Sequence, residues 1–505
     1  MVIIVNKKDE AFFQLKCKYD CALELKEFFS CHKKGFQFHP KYKYGSWNGK
    51  ISFFNIEECT LPIGLYPQLN EFSKKFGYKL QLNFDTSSMR NEISQEDLQE
   101  LYNNIFNENF MPREHQHISI KKCIEFKRGI IEAVTSSGKS NMLYALTRFI
   151  LATNPDKKVL IIVPSISLVN QMASDFEEYG FTEAKEYINK LYGTSKSYDK
   201  DRPILISTWQ SIYKRPISFF KDFVGVLCDE VHIASTKSNM SGIGGIHKVL
   251  SKCINAEYRL GFTGTLPEDK SDLWTIYGYL GPKLHKVGYK ELMDKGILSK
   301  IKIANVIIKY PEQFCKMNKK RPYPEEVKEI NNYEDRNKVF KFILDKIDKK
   351  ENIIILCTYI DHLIKIVKYI KENYKDRKIY QIYGKTDVDD REEIRKSIDN
   401  EEGVILVATF KTMGTGINIK RIHHVIFGSS TSSKINVLQS LGRGLRIHNT
   451  KKKLIVWDLI DNLTIKNKNG TITKNYVFKH FEERIKFYKE AEFSTVTTKI
   501  EIDKL

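Results

Sequence analysis

The sequence predicts an α/β protein, with two similar parallel-sheet lobes in tandem behind a small α+β module. Three observations predict it. From residue 130 onward, short apolar runs alternate with helical stretches, the pattern of a parallel sheet covered on both faces. That pattern occurs twice. Residues 1–88 lie outside it, and 505 residues are too many for one hydrophobic core.

In the module, residues 31–50 interleave Lys33, Lys34, Lys41, Lys43 and Lys50 with Phe36, Phe38, Tyr42, Tyr44 and Trp47, and contain no carboxylate. Such a stretch suits phosphates and bases, with Lys41, Lys43, Trp47 and Lys50 as the contacts and Tyr44 as a further stacking ring. It also suits a half-buried aromatic hairpin with solvated lysines. Ser94 and Asp97 then form a capping-box pattern ahead of Leu98, Leu101, Tyr102 and Ile105, which share one helical face. In the first lobe the apolar runs at 130–134, 159–163, 204–207, 224–228 and 259–262 read as buried strands. The second lobe repeats them at 353–357, 379–383, 404–408, 425–427 and 454–457, with an amphipathic helix at 362–374. The domains expected are therefore a basic module at 1–88, a linker helix at 89–110, a first lobe at 111–297, a second at 298–462 and a helical tail at 463–505. The polar stretch 311–335 reads as an insertion early in the second lobe.

Composition narrows the function. Against 62 acidic residues stand 82 Lys and Arg, a formal charge of +20 that favours a polyanionic partner, nucleic acid first. Nine cysteines scattered from Cys17 to Cys357, with no CxxC pair, support neither a disulfide framework nor a zinc ribbon. The opening apolar residues are too few for a signal peptide, and no apolar run has the length of a membrane span. A cytoplasmic protein is expected.

Three motifs carry chemistry. Strand 130–134 runs into Thr135-Ser136-Ser137-Gly138-Lys139-Ser140 and then an apolar helix, the context of a phosphate-binding loop. Its backbone N–H groups can wrap a phosphate of ATP, Lys139 can reach the β and γ oxygens, and Ser140 can ligate Mg²⁺. Ala133 stands where the fingerprint has its first glycine. About 90 residues on, Asp229 and Glu230 follow a buried strand, where Asp229 can hold the Mg²⁺ shell and Glu230 can orient or deprotonate a water. Third, Gln439, Arg443 and Arg446 lie in Gln-Ser-Leu-Gly-Arg-Gly-Leu-Arg. The two guanidinium forks suit a developing phosphoryl charge, and equally nucleic-acid phosphates.

The order of these motifs resembles that of superfamily 2 helicases. Gln116 resembles their adenine-reading glutamine, Pro164-Ser165 and Thr208-Trp209-Gln210 their strand-tracking motifs, and Thr263-Gly264-Thr265 the motif coupling hydrolysis to movement. Thr409 and the Gly414-Thr415-Gly416 run resemble the motif that touches both nucleic acid and nucleotide. The resemblance spans residues 113–446 and implies two RecA-like lobes. More narrowly, Tyr42–Lys50, Leu61-Pro62-Ile63-Gly64-Leu65 and Val456-Trp457-Asp458-Leu459-Ile460-Asp461 resemble the UvsW-like family of bacteriophage recombination and repair helicases. That resemblance implies a monomeric ATP- and Mg²⁺-dependent helicase with 3′ to 5′ polarity, in the cytoplasm of an infected bacterium. Its implied substrates are branched and single-stranded DNA and RNA–DNA hybrids, in fork regression, Holliday-junction migration and R-loop removal, with phage recombination proteins as partners. Cys17, Cys21, Cys31 and His32 depart from the family pattern. Three alternatives stay open: a duplex translocase that does not separate strands; an RNA helicase, whose last motif usually begins with His where this chain has Gln439; and a binding clamp with a decayed motor, against which the intact Lys139, Asp229 and Glu230 argue.

Overall fold

Alternating apolar residues in the first strands seed a small mixed sheet. The protein is described from a computed structural model that covers residues 1–193, 198–232, 245–414, 419, 421–430, 453–467 and 469–505, without the side chains of residues 88, 388, 389, 392 and 414. The N-terminal strands are β1 (Val2–Lys7), β2 (Phe12–Lys16), β3 (Ser30–His32), β4 (Lys50–Ser52), β5 (Thr60–Pro62) and β6 (Lys79–Leu82). Four of them form a sheet in the order β5-β2-β1-β6, with β1 antiparallel to β2 and parallel to β6. β3 and β4 pair separately as the arms of a hairpin whose loop is the basic aromatic stretch. Ile3, Val5, Phe13 and Leu15 point inward to meet Leu25 and Phe29 from helix Tyr19–Phe28 and its end, and Leu69 and Phe72 from helix Tyr66–Phe76. This core does not close on itself. Trp274, from the first lobe, completes it between Phe28, Phe29 and Phe53.

The first lobe is a seven-stranded parallel sheet because its central strands are largely apolar and need cover on both faces. Its members are β7 (Arg128–Ala133), β8 (Lys158–Val163), β9 (Ile188–Leu191), β10 (Ile204–Thr208), β11 (Phe223–Cys228), β12 (Tyr258–Thr263) and β13 (Lys283–Val287), in the order β13-β7-β12-β11-β8-β10-β9. All five expected strands are present. The two additional strands, β9 and β13, sit at the edges, where polar side chains are tolerated and the apolar run that marks a buried strand is missing. The linker helix, Gln95–Ile105, starts on the Ser94–Asp97 capping box and buries Leu98, Tyr102 and Ile105.

The second lobe has the same plan. Its main sheet contains β14 (Lys300–Lys309), β15 (Ile353–Cys357), β16 (Ile379–Ile382), β17 (Ile405–Thr409), β18 (His424–Phe427), β19 (Lys453–Asn462) and β22 (Ser494–Glu501). They run parallel in the order β16-β17-β15-β18-β19-β14-β22, and a two-stranded ribbon, β20 (Ile465–Lys466) with β21 (Ile472–Thr473), stands apart. The segment expected as a helical tail returns to this sheet: after helix Tyr476–Glu490, β22 pairs with β14 along eight residues. Contacts divide the chain into two compact units, Met1–Ala133 with Ser137–Val287, and Val134–Ser136 with Gly288–Leu505. The N-terminal module thus belongs to the same unit as the first lobe, and the division after Val287 comes ten residues before the expected one.

Candidate active site

β7, β12 and β11 are neighbours, so their C-terminal ends place Ala133, Thr263 and Asp229 along one rim of the first sheet, where open parallel sheets bind ligands. Beyond Ala133 the loop turns sharply. Ser136 and Gly138 adopt left-handed φ values of 66° and 84°, and helix Lys139–Thr153 begins directly after them. Gly138 is required twice over: a Cβ there would lie 2.0 Å from Gln116 Nε2 in a backbone conformation that side chains avoid. The Gln116 amide is engaged at both ends, accepting from Arg113 N at 2.7 Å and donating to the carbonyls of Ser137 and Gly138 at 3.2 and 3.3 Å. His115 Nε2 donates to the same Ser137 carbonyl at 2.9 Å. The glutamine expected to read adenine therefore braces the loop at Ser137 and Gly138.

Lys139 stands at the loop's mouth, its side chain 10% exposed, with Nζ 3.2 Å from Glu230 Oε1 and 3.4 Å from the Ala133 carbonyl. Glu230 holds a left-handed φ of 50°, an unusual conformation for a carboxylate residue and one found at sites that must aim a side chain. Its other oxygen lies 3.2 Å from His232 Nδ1, which in turn lies 2.8 Å from Thr263 Oγ1. Thr263 Oγ1 also donates to the Thr265 carbonyl at 2.9 Å. A continuous polar chain thus runs from Lys139 through Glu230 and His232 to the Thr-Gly-Thr turn. Sequence reasoning gave His232 no role, and its position two residues after Glu230 was the available signal.

The paired carboxylates are driven apart electrostatically. Burial pushes Asp229 above the ordinary carboxylate range, and the charge of Glu230 pushes it further. Burial acts on Glu230 too, but Lys139 and His232 outweigh it and hold that carboxyl well below the usual range. For Lys139, burial works against the ammonium, and the charges of Glu230 and Asp229 still leave its pKa above the ordinary lysine value.

The residues present fit a nucleotide and Mg²⁺. The Ser137 hydroxyl is buried in the loop without a hydrogen-bond partner among the described residues, a donor awaiting an oxygen. Asp229 and Ser140 offer only oxygen, the ligand type a hard Mg²⁺ shares with phosphates and water. Ser140 Oγ lies 2.7 Å from the Tyr179 hydroxyl, a contact that leaves it a lone pair.

The expected strand-contact residues divide into exposed and internally committed groups. Gln210, Lys41 and Lys43 are exposed, and Pro164, Thr135 and Ser136 half-buried. Ser165 caps helix Ile166–Tyr179 by accepting from Leu168 N, the Thr208 hydroxyl meets Ser211, and the buried Thr409 hydroxyl meets Thr412 at 2.6 Å. Trp47 turns inward, donating from Nε1 to the Lys50 carbonyl at 2.8 Å, and Lys50 Nζ pairs with Glu27 at 2.5 Å. The stretch has no carboxylate of its own, but folding brings one to it. Gly414 ends helix Phe410–Gly414; Gly416, Gln439, Arg443 and Arg446 lie outside the described residues.

Residues 2–83 match the family described as DNA helicase UvsW, N-terminal; residues 109–268 match Type III restriction enzyme, res subunit; residues 335–448 match Helicase conserved C-terminal domain. The chain is 25% identical to the DNA 3′-5′ translocase XPB2 of Sulfurisphaera tokodaii over 68% of its own length and 80% of the relative's. It aligns with the crystal structure of T4 UvsW over 99% of this chain and 100% of that one, at 30% identity and a TM-score of 0.50. To the ATP-dependent DNA helicase uvsW of Enterobacteria phage T4 it is 32% identical, over 98% of this chain and 99% of the relative. That likeness from end to end, with the match of residues 2–83, shows that the chain belongs to the UvsW family of ATP-dependent DNA helicases.

Proposed function

We propose that this helicase uses ATP to move 3′ to 5′ on DNA and to remodel branch points, regressing forks, migrating four-way junctions and removing R-loops. The carrying observation is the polar chain Lys139–Glu230–His232–Thr263, which ties the phosphate loop to the turn following β12. A change at the nucleotide is felt at that turn through three direct contacts. The likeness to the archaeal 3′-5′ translocase supports the direction.

In this reading the Lys139 ammonium exchanges its partner Glu230 for phosphate oxygens when ATP binds. Glu230 is then free to accept the proton of a water attacking the γ-phosphorus as the bond to the leaving ADP oxygen breaks. His232, left with Thr263, reports the change to the Thr-Gly-Thr turn. Mg²⁺ held by Asp229 and Ser140 would neutralise phosphate charge during this step. Ser137 donates to a phosphate oxygen, and Gln116 with His115 keeps the loop from yielding. Gln439, Arg443 and Arg446 are proposed on sequence alone to assist phosphoryl transfer. Gln210, Lys41 and Lys43 contact DNA, while Ser165 and Thr409 act by starting the helices they cap, and the Thr208 hydroxyl is held by Ser211.

The test is a panel of labelled forks, four-way junctions, R-loops and linear duplexes, scored for ATP-dependent rearrangement. Branched substrates should be converted, and conversion of linear duplex alone would overturn the proposal. The likeness to a translocase favours one second reading, movement along duplex without strand separation. Removal of a DNA-bound roadblock without any strand displacement would select it.

A further inference from the structure

The hairpin loop of the N-terminal module, residues 33–49, contains two sets of aromatic rings with different fates. One set builds the loop. His32 stacks on Phe36 with centroids 4.5 Å apart, Phe36 meets Tyr42 edge-on at 4.8 Å, and His39 meets Trp47 edge-on at 5.1 Å. Gly49 is pressed so closely on Phe36 that a Cβ would lie 2.4 Å from its ring. The Trp47 indole is further pinned by its hydrogen bond to the Lys50 carbonyl.

The other set has no place in this packing. Phe38 is 79% exposed and Tyr44 85% exposed, and among the described residues neither ring meets another aromatic. They flank the short helix Pro40–Lys43, which carries Lys41 and Lys43, two exposed cations with no ion pair among the described residues. Left-handed Gly35 and Gly45 bound the whole element, with open space around both. Exposing two large rings to water is unfavourable unless something covers them. The cations set the sign of that partner.

We propose that Phe38 and Tyr44 are a paired stacking wedge for the unstacked base pairs at a DNA branch, with Lys41 and Lys43 gripping the flanking phosphates and Trp47 serving only to shape the loop. A base or terminal pair offers a flat apolar face beside an anionic backbone, which two rings separated by two cations match. Continuous duplex offers no such face, since its bases are already stacked on one another, so the wedge discriminates structure and not sequence. This inference rests on the branched-DNA reading above and names the residues that read the branch.

The test uses the full chain with Phe38→Ala/Tyr44→Ala, and separately Lys41→Ala/Lys43→Ala, on a four-way junction and a linear duplex of equal length. A 2-aminopurine at the branch point reports stacking. The aromatic variant should lose about tenfold in affinity for the junction, keep its affinity for duplex, and abolish the fluorescence change on binding. ATP turnover with single-stranded DNA should be unchanged, and Phe38→Trp/Tyr44→Trp should restore both junction affinity and the signal. Junction preference and fluorescence unchanged in the aromatic variant, with affinity lost in the lysine variant, would overturn the wedge and leave the module's DNA contact standing. No effect of either variant would overturn the module's role at branches altogether. Equal losses on junction and duplex would also overturn the wedge.

Discussion

At the level of single residues, the nucleotide loop is more tightly specified than its motif suggests. Lys139→Ala should lower ATP turnover by about a hundredfold or more, the scale for removing a preorganised charge from a phosphoryl site, while DNA affinity measured without ATP stays near wild type. Gly138→Ala should cost about 1–3 kcal/mol, read as a lower thermal midpoint, because its methyl meets Gln116 at a positive φ. A third residue is governed by pH. Asp272, at the start of helix Lys270–Leu280, is raised by burial and by the adjacent Asp269 to about 6, against the pull of Lys34 and Lys33. Because its folded pKa exceeds its unfolded one, its stabilising contribution is complete below about pH 4 and is lost as pH rises through 6. Asp272→Asn should therefore melt above wild type at pH 8, and the two melting curves should converge by pH 4. A constant difference across that range would contradict the assignment.

At the level of elements, buried ion pairs hold the second lobe's late segments in place. Asp458 and Asp461 are three residues apart on β19, so they project to opposite faces of the sheet. Asp458 takes a two-pronged contact from Arg484 at 2.8 and 2.9 Å, joined by the Tyr488 hydroxyl at 2.9 Å, and so pins helix Tyr476–Glu490. On the other face Asp461 takes Arg336 at 2.9 and 3.0 Å and the Tyr310 hydroxyl at 2.6 Å. Arg484→Ala should destabilise the lobe by about 3–5 kcal/mol, since it leaves a buried carboxylate unpaired, and Asp458→Asn in the same chain should recover part of that loss in denaturant titrations. These pairs give both aspartates of the Val-Trp-Asp-Leu-Ile-Asp run a structural role in this chain, where the sequence carried the run only as a resemblance. Buried strands such as β8 and β15 were legible because their apolar runs are continuous. β14 and β22 were not, since Lys302 and Asn305 break the apolar run of the first and the second is exposed along most of its length. The site was legible as motifs, yet the inward turn of Trp47 and the pairing of Lys50 with Glu27 depend on contacts between segments that no spacing in the loop encodes.

At the level of the whole molecule, the N-terminal module is part of the first lobe's core. Glu10 N donates to the Ile254 carbonyl at 2.8 Å, Arg128 Nη2 donates to the Glu10 carbonyl at 2.7 Å, and Gly64 is packed so closely on the Tyr277 carbonyl that a Cβ would lie 1.8 Å away. Deleting residues 1–88 should therefore expose Trp274 and lower the melting temperature of the remaining chain, so point substitutions in the 33–49 loop are the cleaner probe of DNA contact. The pairing of β14 has a consequence for how the protein is made. Its two sheet neighbours are residues 453–462 and 494–501, so β14 leaves the ribosome long before either partner exists. The first unit, whose strands are complete by Val287, can close while the second is still being synthesised. A nascent chain arrested after residue 460 should carry a protease-resistant first unit and a second that is still digestible, with β14 holding one edge open for a strand not yet translated.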